Sequence, residues 1–328
     1  MINHQQINKL LAWFGYGYFK EADVVFWGNE EGLGGLPKEA AIARCEVYGK
    51  NQETWINSNN WEDGYWDETG VEGTKQLKEA TKRLLLQQGQ DLDEKNEKRY
   101  RGPFLTFTSR MLLALEQPEN PWFERRNYYT STPEYKGLWD TINDYVREGL
   151  YENNHKVKAA LIDWRPLPRF DEKVWPFEGL DQKQYIKAFN LKSNYQKRIE
   201  KLLSGEITTD IFKEDIYLKM LYKRILLLRK VIETFDFPIM LGIGAPEDKM
   251  KAIKTVFNEY NPVFTKQTFS NGKRYYEANI QLPNRTLKII LTMFFNDFSS
   301  SLQLTGLEDL TNIVREHLKA EKRIPSLV

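Results

Sequence analysis

The chain has 328 residues, enough to bury a full hydrophobic core, and its 47 basic and 46 acidic residues leave a net charge of +1. This balance excludes a protein that binds nucleic acid through overall charge alone, so any basic binding surface must be local. The single cysteine, Cys45, excludes an internal disulfide, a thiolate zinc site and a cysteine-ligated iron–sulfur cluster. One cysteine and no recognisable signal peptide or membrane segment predict a cytoplasmic location.

The first residues predict a short amphipathic helix with Ile7, Leu10, Leu11 and Phe14 on its apolar face. Further along, four runs are continuously apolar and rich in β-branched residues, as strands covered on both faces are. These runs are ADVVFWG (22–28), KAALIDW (158–164), FPIMLGIG (237–244) and LKIILTMFF (287–295).

Helical periodicity lies between or after these strands. The segments are SRMLLALEQ (109–117), EDIYLKMLYKRILLLRKVIETF (214–235), PEDKMKAIKTVFNEY (246–260) and LEDLTNIVREHLKAEKR (307–323). This alternation predicts an α/β fold of three αβα layers around a central, mostly parallel four-stranded sheet. The SNG turn in TKQTFSNGKRYYEANIQL (265–282) predicts a hairpin beside the last strand. We expect a single domain over residues 1–328, with residues 36–100 as an insertion within it.

Ligands of such sheets bind beyond the carboxyl ends of the strands, so the segments that follow the four strands are candidate sites. We expect all four to be loops. They are GNEEG (28–32), DWRPLPR (163–169), GIGAPED (242–248) and FNDFSSSLQLTG (295–306).

Five motifs together resemble the uracil-DNA glycosylase superfamily. GNEEG is similar to the Gly-x-x-x-Gly loop that carries the catalytic acid or amide of that family, and NDFSSSLQ (296–303) to its His-Pro-Ser or Asn-Pro-Ser loop. RGPFLTFTSRMLLAL (101–115) is similar to the segment whose aromatic ring stacks on the extruded base. DWRPLPR is similar to the arginine–proline loop, and IMLGIGAPED (239–248) to the Gly-x-x-Ala strand end. The five motifs follow the family's order and cover most of the chain outside the insertion.

The departures from the family pattern affect the substrate. Asn296 stands where many members have histidine, and Asp297 and Phe298 replace the proline and serine. The insertion is far longer than a uracil-specific enzyme requires. Uracil itself is therefore not the favoured base.

The resemblance implies roles for the charged and polar residues of the first and last loops. Cleavage of an N-glycosidic bond develops positive charge on the sugar and negative charge on the base, so the site needs a carboxylate and a hydrogen-bond donor. Glu30 is the implied catalytic carboxylate, with Glu31 beside it, and Asn296 is the implied donor, followed by Asp297. Alternatively, the glutamates are solvated loop charges or a helix cap, and Asn296 and Asp297 close an Asx turn.

The expected substrate pocket combines strand-end residues with an aromatic ring. Gly28 and Asn29 lie next to the implied carboxylate, and Phe104 is expected to stack on the flipped base unless it is a core residue. Asp163 and Trp164 end the second strand, where uracil enzymes present an asparagine. A carboxylate accepts hydrogen bonds only, which suits the exocyclic amino group of cytosine. An ion pair of Asp163 with Arg165 or Arg169 is the alternative.

The insertion contains NQETWINSNNWEDGYWDETG (51–70), in which Trp55, Trp61 and Trp66 lie among amides and carboxylates. Aromatic faces beside short polar groups suit a sugar ring, whose C–H face stacks while its hydroxyls form hydrogen bonds. The alternative is that the tryptophans pack in the core. The first interpretation favours a bulky, glucosylated cytosine, as some members of the superfamily excise in defence against phage.

Contacts to DNA are expected from basic and hydroxyl side chains near the strand ends. The predicted set is Arg101, Arg165, Arg169, Ser299, Ser300, Ser301 and Gln303. Leu302 and Leu304 lie where family members carry the wedge that fills the vacated base stack. The basic residues of 215–230, including Arg224, are interpreted as a solvated helix face.

The sequence thus predicts a monofunctional DNA glycosylase that releases a modified pyrimidine, with no cofactor, no metal ion, no membrane partner and no obligatory protein partner. Two alternatives stay open. A hydrolase of sugar nucleotides would use the same carboxylate and tryptophans without the arginines or the wedge. A non-catalytic reader of modified DNA would need the pocket and the arginines but not Glu30.

Overall fold

The computed structural model describes residues 1–32, 38–47, 65–67, 79–80, 82–84, 86–87, 103–148, 150–151, 154–169, 175–192 and 194–325. In this part of the chain the strands form one sheet. They are β1 (Trp13–Tyr16), β2 (Val24–Gly32), β3 (Tyr65–Asp67), β4 (Ala159–Arg169), β5 (Ile239–Ile243), β6 (Thr265–Thr268), β7 (Arg274–Leu282) and β8 (Arg285–Thr292). The helices are α1 (His4–Ala12), α2 (Lys38–Val47), α3 (Pro103–Glu116), α4 (Arg126–Ser131), α5 (Lys136–Glu148), α6 (Gln182–Phe189), α7 (Tyr195–Leu203), α8 (Ile216–Thr234), α9 (Pro246–Val256) and α10 (Gln303–Ala320). Short 3₁₀ turns cover Pro133–Tyr135, Thr209–Lys213 and Asn258–Tyr260.

The α/β class is confirmed, but the sheet is larger than predicted. The four predicted strands are β2, β4, β5 and β8, which lie side by side in the order β4-β2-β5-β8 and are all parallel. The described sheet has eight strands rather than four, because β3 and β1 extend it beyond β4, and the hairpin β6–β7 extends it beyond β8. The hairpin was predicted, and β7 pairs antiparallel with β8. The first helix is shorter than predicted, because α1 ends at Ala12 and Phe14, which the prediction places on that helix, lies in β1.

Helices cover both faces of the sheet because the strand side chains alternate between two large hydrophobic clusters. Val25, Trp27 and Ile162 face the cluster that includes buried residues of α1, α8 and α9. Phe26 and Leu161 face the cluster formed with α3, α5 and α10. Each central strand is thus buried on both sides, which is why its sequence is continuously apolar.

Two predicted loops are strand instead. β2 continues through GNEEG to Gly32, and β4 continues through the arginine–proline segment to Arg169. The two extensions pair with each other, with Glu30 opposite Arg165 and Gly32 opposite Arg169 after a shift in register. The described pairing of β4 with β1 is confined to Leu161 and Ile162, so the prolines of β4 lie where the strand has a neighbour on one side only.

The interpretation of 215–230 as a solvated face is wrong for Arg224. This side chain is 2% exposed and forms part of the buried side of α8. Its guanidinium donates to the carbonyls of Trp13, at 2.7 Å, and of Trp164, at 3.1 Å, and also to that of Asp163. Arg224 therefore joins α8 to β1 and β4.

Candidate functional site

The carboxyl ends of β4, β2, β5 and β8 meet at one edge of the sheet. In the sheet, β4 lies next to β2 on one edge of that strand, and β5 lies next to β2 on its other edge. The chain runs from β2 to β4 and then passes β2 to reach β5, so the direction of winding reverses at β2. The switch point of this topology therefore lies between β2 and β5, where sheets of this kind form a binding crevice. Pairing of β2 with β5 ends at Trp27 and Gly242, and β2 runs on beyond it.

Gly28 and Asp163 are paired neighbours on β2 and β4, just before the crevice. Asp163 is 3% exposed, and a Cβ added to Gly28 would lie 2.7 Å from its Oδ1. The carboxylate therefore packs on the Cα position of Gly28, and a larger residue at 28 would collide with it. Burial, followed by the charge of Asp163, raises the pKa of the Tyr151 hydroxyl well above its usual value. The site thus contains a deeply buried carboxyl group next to the strand that carries Glu30.

Trp164 lies in the hydrophobic core. It is 5% exposed, its indole Nε1 donates to the carbonyl of Phe189 at 2.7 Å, and its ring meets that of Trp27 edge-on at 5.6 Å. These contacts account for the side chain without a ligand. The structure gives Trp164 a packing role at the base of the strand-end region.

Asn29 is joined to Gly244, just after β5, by Lys249, which was not among the predicted site residues. The Lys249 ammonium donates to Oδ1 of Asn29 and, at 3.0 Å, to the carbonyl of Gly244. Lys249 lies in the first turns of α9 and is only 2% exposed. The signal was present in the sequence, because Lys249 shares helical spacing with the apolar residues Ala252, Ile253 and Val256.

An aromatic cluster forms where the start of α3 contacts the segment that follows β8. Phe104 stacks against Phe294 at 6.3 Å and against Phe295 at 5.9 Å between ring centroids. Phe295 is fully buried and also contacts Phe107 at 6.2 Å, whereas Phe294 is 44% exposed. Phe104 itself is half-buried. Phe104 thus packs against the cluster that includes α3 and α10, and its side chain remains partly exposed.

The side chain of Asn296 forms a hydrogen bond within its own loop, but with the next residue rather than two residues on, as the Asx turn of the alternative prediction would require. Oδ1 of Asn296 accepts a hydrogen bond from the backbone N–H of Asp297 at 2.6 Å, and its carbonyl accepts one from Gln303 at 2.9 Å. The side-chain oxygen is used within the loop, so a hydrogen bond to a bound group falls to the Nδ2 amide. Asp297 is exposed and lies in the electrostatic environment of Arg110.

The residues proposed as a wedge are in the core. Leu302 is fully buried and Leu304 is 9% exposed, and both belong to the cluster under α10. The apolar side chain that this segment exposes is Phe298, at 69%. Among the serines, Ser299 and Ser300 are exposed, and Ser301 is buried. Gln303 is half-buried and starts α10.

The remaining predicted residues are described only in part. Arg165 is half-buried on the extension of β4. Glu30, Glu31 and Arg169 are described by their backbone in β2 and β4, and Trp66 by its backbone in β3. Arg101, Trp55 and Trp61 lie outside the described residues.

Comparisons with protein-family models, with curated proteins and with solved structures find no match to this chain. Among the described residues, no cluster of histidine, cysteine, aspartate and glutamate is placed to hold a metal ion. None of the described helices has the length and apolar composition needed to cross a bilayer.

Proposed function

We propose that the protein is a DNA glycosylase that hydrolyses the N-glycosidic bond of a flipped, modified pyrimidine and leaves an abasic site. We favour a bulky or glucosylated cytosine over uracil as the excised base. A role in anti-phage defence would accord with such a base. The proposal is supported chiefly by one observation. The four strands that precede the glycosylase-like motifs are contiguous and parallel, so these motifs converge on one edge of the sheet.

The proposed chemistry assigns one task to each group at this edge. The Glu30 carboxylate stabilises the positive charge that develops on the deoxyribose and polarises the attacking water. The Asn296 amide donates to the oxygen of the departing base without titrating. Phe104, supported by Phe294, stacks on the extruded base and replaces the stacking lost from the duplex.

Asp163 supports the choice of cytosine over uracil. Its carboxylate is buried against Gly28, and an ionised carboxylate can only accept hydrogen bonds. The exocyclic amino group of cytosine satisfies such an acceptor, whereas the corresponding oxygen of uracil would leave two acceptors facing each other.

The direct test is incubation of the protein with duplex and single-stranded DNA that carries uracil, 5-hydroxymethylcytosine or glucosylated 5-hydroxymethylcytosine, followed by alkali to cleave abasic sites. We expect strand cleavage after alkali for the modified cytosines. Tight binding with no abasic site in any DNA would instead indicate a reader of modified DNA. Turnover of free sugar nucleotides alone would indicate a sugar-nucleotide hydrolase.

The catalytic carboxylate is tested by Glu30→Gln. Loss of the charge that faces the cationic sugar is expected to slow base release by two to three orders of magnitude, or about 3 kcal/mol, with DNA binding retained. Single-turnover excision and DNA affinity are measured on the same preparations. Glu31→Gln shows which of the adjacent carboxylates acts, and Glu316→Gln on the exposed side of α10 is the matched control. An unchanged rate in Glu30→Gln would remove Glu30 from the mechanism.

A further inference from the structure

A buried ammonium occupies the gap between the two strands at the switch point. Beyond Trp27 the strand β2 has lost its pairing with β5, and its described pairing continues on the β4 side alone. Lys249 fills the open side, because its Nζ donates both to Asn29 on β2 and to Gly244 just after β5. The lysine thus connects β2 to the end of β5 at Asn29, the residue before Glu30, where the backbone pairing of the two strands has already ended.

Two glycines, Gly242 in β5 and Gly244 just after it, lie against this link. A Cβ on Gly242 would lie 2.5 Å from Cδ2 of Leu291 and 2.9 Å from Cδ of Lys249, so the bare backbone there leaves room for both side chains. A Cβ on Gly244 would lie 3.0 Å from Nδ2 of Asn29, and Gly244 also has a positive φ of 75°. The glycines of the GIGAPEDK segment therefore leave room for the side chains of Lys249 and Asn29.

Burial of the Lys249 ammonium has a free-energy cost, which argues against an incidental contact with Asn29. A lysine buried to 2% exposure loses most of its hydration, and a positive charge near the N-terminal end of a helix opposes the helix dipole. Its Nζ also lies 5.2 Å from the centre of the Trp27 ring, which adds a cation–π contact. An apolar side chain would fill the same space without the desolvation cost.

We propose that Lys249 is a positioning residue, which acts through Asn29 to fix the end of β2 and thereby the placement of Glu30. The expected effect of Lys249 on base excision rests on the proposed glycosylase function. The structural consequence, a β2 extension that is held on the β5 side through the Lys249 ammonium, is independent of that function.

The test compares Lys249→Met with the parent and with Lys251→Met, a neighbouring and more exposed lysine of α9. A misplaced reacting group is expected to lower single-turnover excision about a hundredfold. The dissociation constant for substrate DNA is expected to stay within about threefold, because Lys249 is not a DNA contact. Hydrogen exchange of the amides of residues 28–32 is expected to quicken at least about tenfold in Lys249→Met and not in Lys251→Met.

A second pair of variants changes Asn29, the partner of Lys249 in this contact. Asn29→Asp keeps the acceptor oxygen for the Lys249 ammonium and should retain the exchange protection of residues 28–32, whereas Asn29→Ala should lose it. This pair decides the proposal if Lys249→Met fails to fold. A folded Lys249→Met with unchanged excision and exchange, or equal losses of exchange protection in Asn29→Asp and Asn29→Ala, would overturn it. If the parent excises no base, the proposed function fails, and the exchange measurements alone decide the role of Lys249.

Discussion

At the scale of single residues, the contact between Gly28 and Asp163 restricts what this site can contain. The carboxylate is buried on the Cα position of a glycine, and the two residues are paired across β2 and β4. The restriction is one of space, because a methyl group would lie 2.7 Å from Oδ1 of Asp163, closer than van der Waals contact allows.

Gly28→Ala is therefore expected to destabilise the fold by about 1 to 3 kcal/mol through overpacking, as measured by urea unfolding. Adding Asp163→Gly to this variant should recover part of that loss, because it removes the colliding carboxylate. The matched control is Gly137→Ala near the start of α5, where an added Cβ meets no atom within 4 Å. There alanine should leave stability unchanged or raise it by up to about 1 kcal/mol. Equal effects at the two glycines would contradict the packing argument.

At the scale of elements, α8 holds β1 against β4 through Arg224. The guanidinium is surrounded by backbone carbonyls of both strands, and its carbon lies 4.6 Å from the centre of the Phe14 ring. Burial lowers the pKa of Arg224 to about 10, an effect that Tyr185 and Asp163 partly offset. The side chain thus stays charged at neutral pH, and it supplies donors to buried carbonyls of β1 and β4.

Arg224→Met is expected to lower the free energy of unfolding by at least about 3 kcal/mol, because several buried carbonyls lose their donor together. Lys230→Met, at an exposed position of the same helix, should change it by no more than about 0.5 kcal/mol. Chemical denaturation at pH 7 measures both variants. If the two losses were similar, Arg224 would not be the link between α8 and the sheet.

At the scale of the whole molecule, the insertion reaches the same sheet as the site. Trp66 in β3 is level with Gly15 of β1, which is level with Ile162 of β4, one residue before Asp163. Three strand spacings separate Trp66 from Trp27 in this row, or about 14 Å across the sheet. The described strand of the insertion is therefore three strands away from β2, which carries Glu30.

Single replacement of Trp55, Trp61 and Trp66 by alanine separates a sugar-binding wall from core packing. A stacking tryptophan should cost about 1 to 3 kcal/mol in excision of glucosylated cytosine and leave the melting temperature nearly unchanged. A core tryptophan should instead cost about 3 to 5 kcal/mol of stability. Thermal melts and excision assays on the same variants, with non-glucosylated substrate as the control, measure the two effects. A uniform collapse of the melts would assign these residues to the core.

The sequence by itself determined the α/β class, the four central strands, the hairpin and the helices α1, α3, α8, α9 and α10, but not the helices α2 and α4 to α7. Each of the predicted elements carries a local pattern, either a continuous apolar run or a 3.6-residue period, that its burial in the sheet or helix layers imposes. The tertiary structure alone decided where β2 and β4 end, because their polar extensions are strand only by pairing with each other. It likewise decided that Leu302 and Leu304 are core residues, and which oxygen atoms Arg224 and Lys249 contact. A buried charge is stabilised by oxygen atoms far away in sequence, such as Oδ1 of Asn29 for Lys249, and no local pattern of residues records that contact.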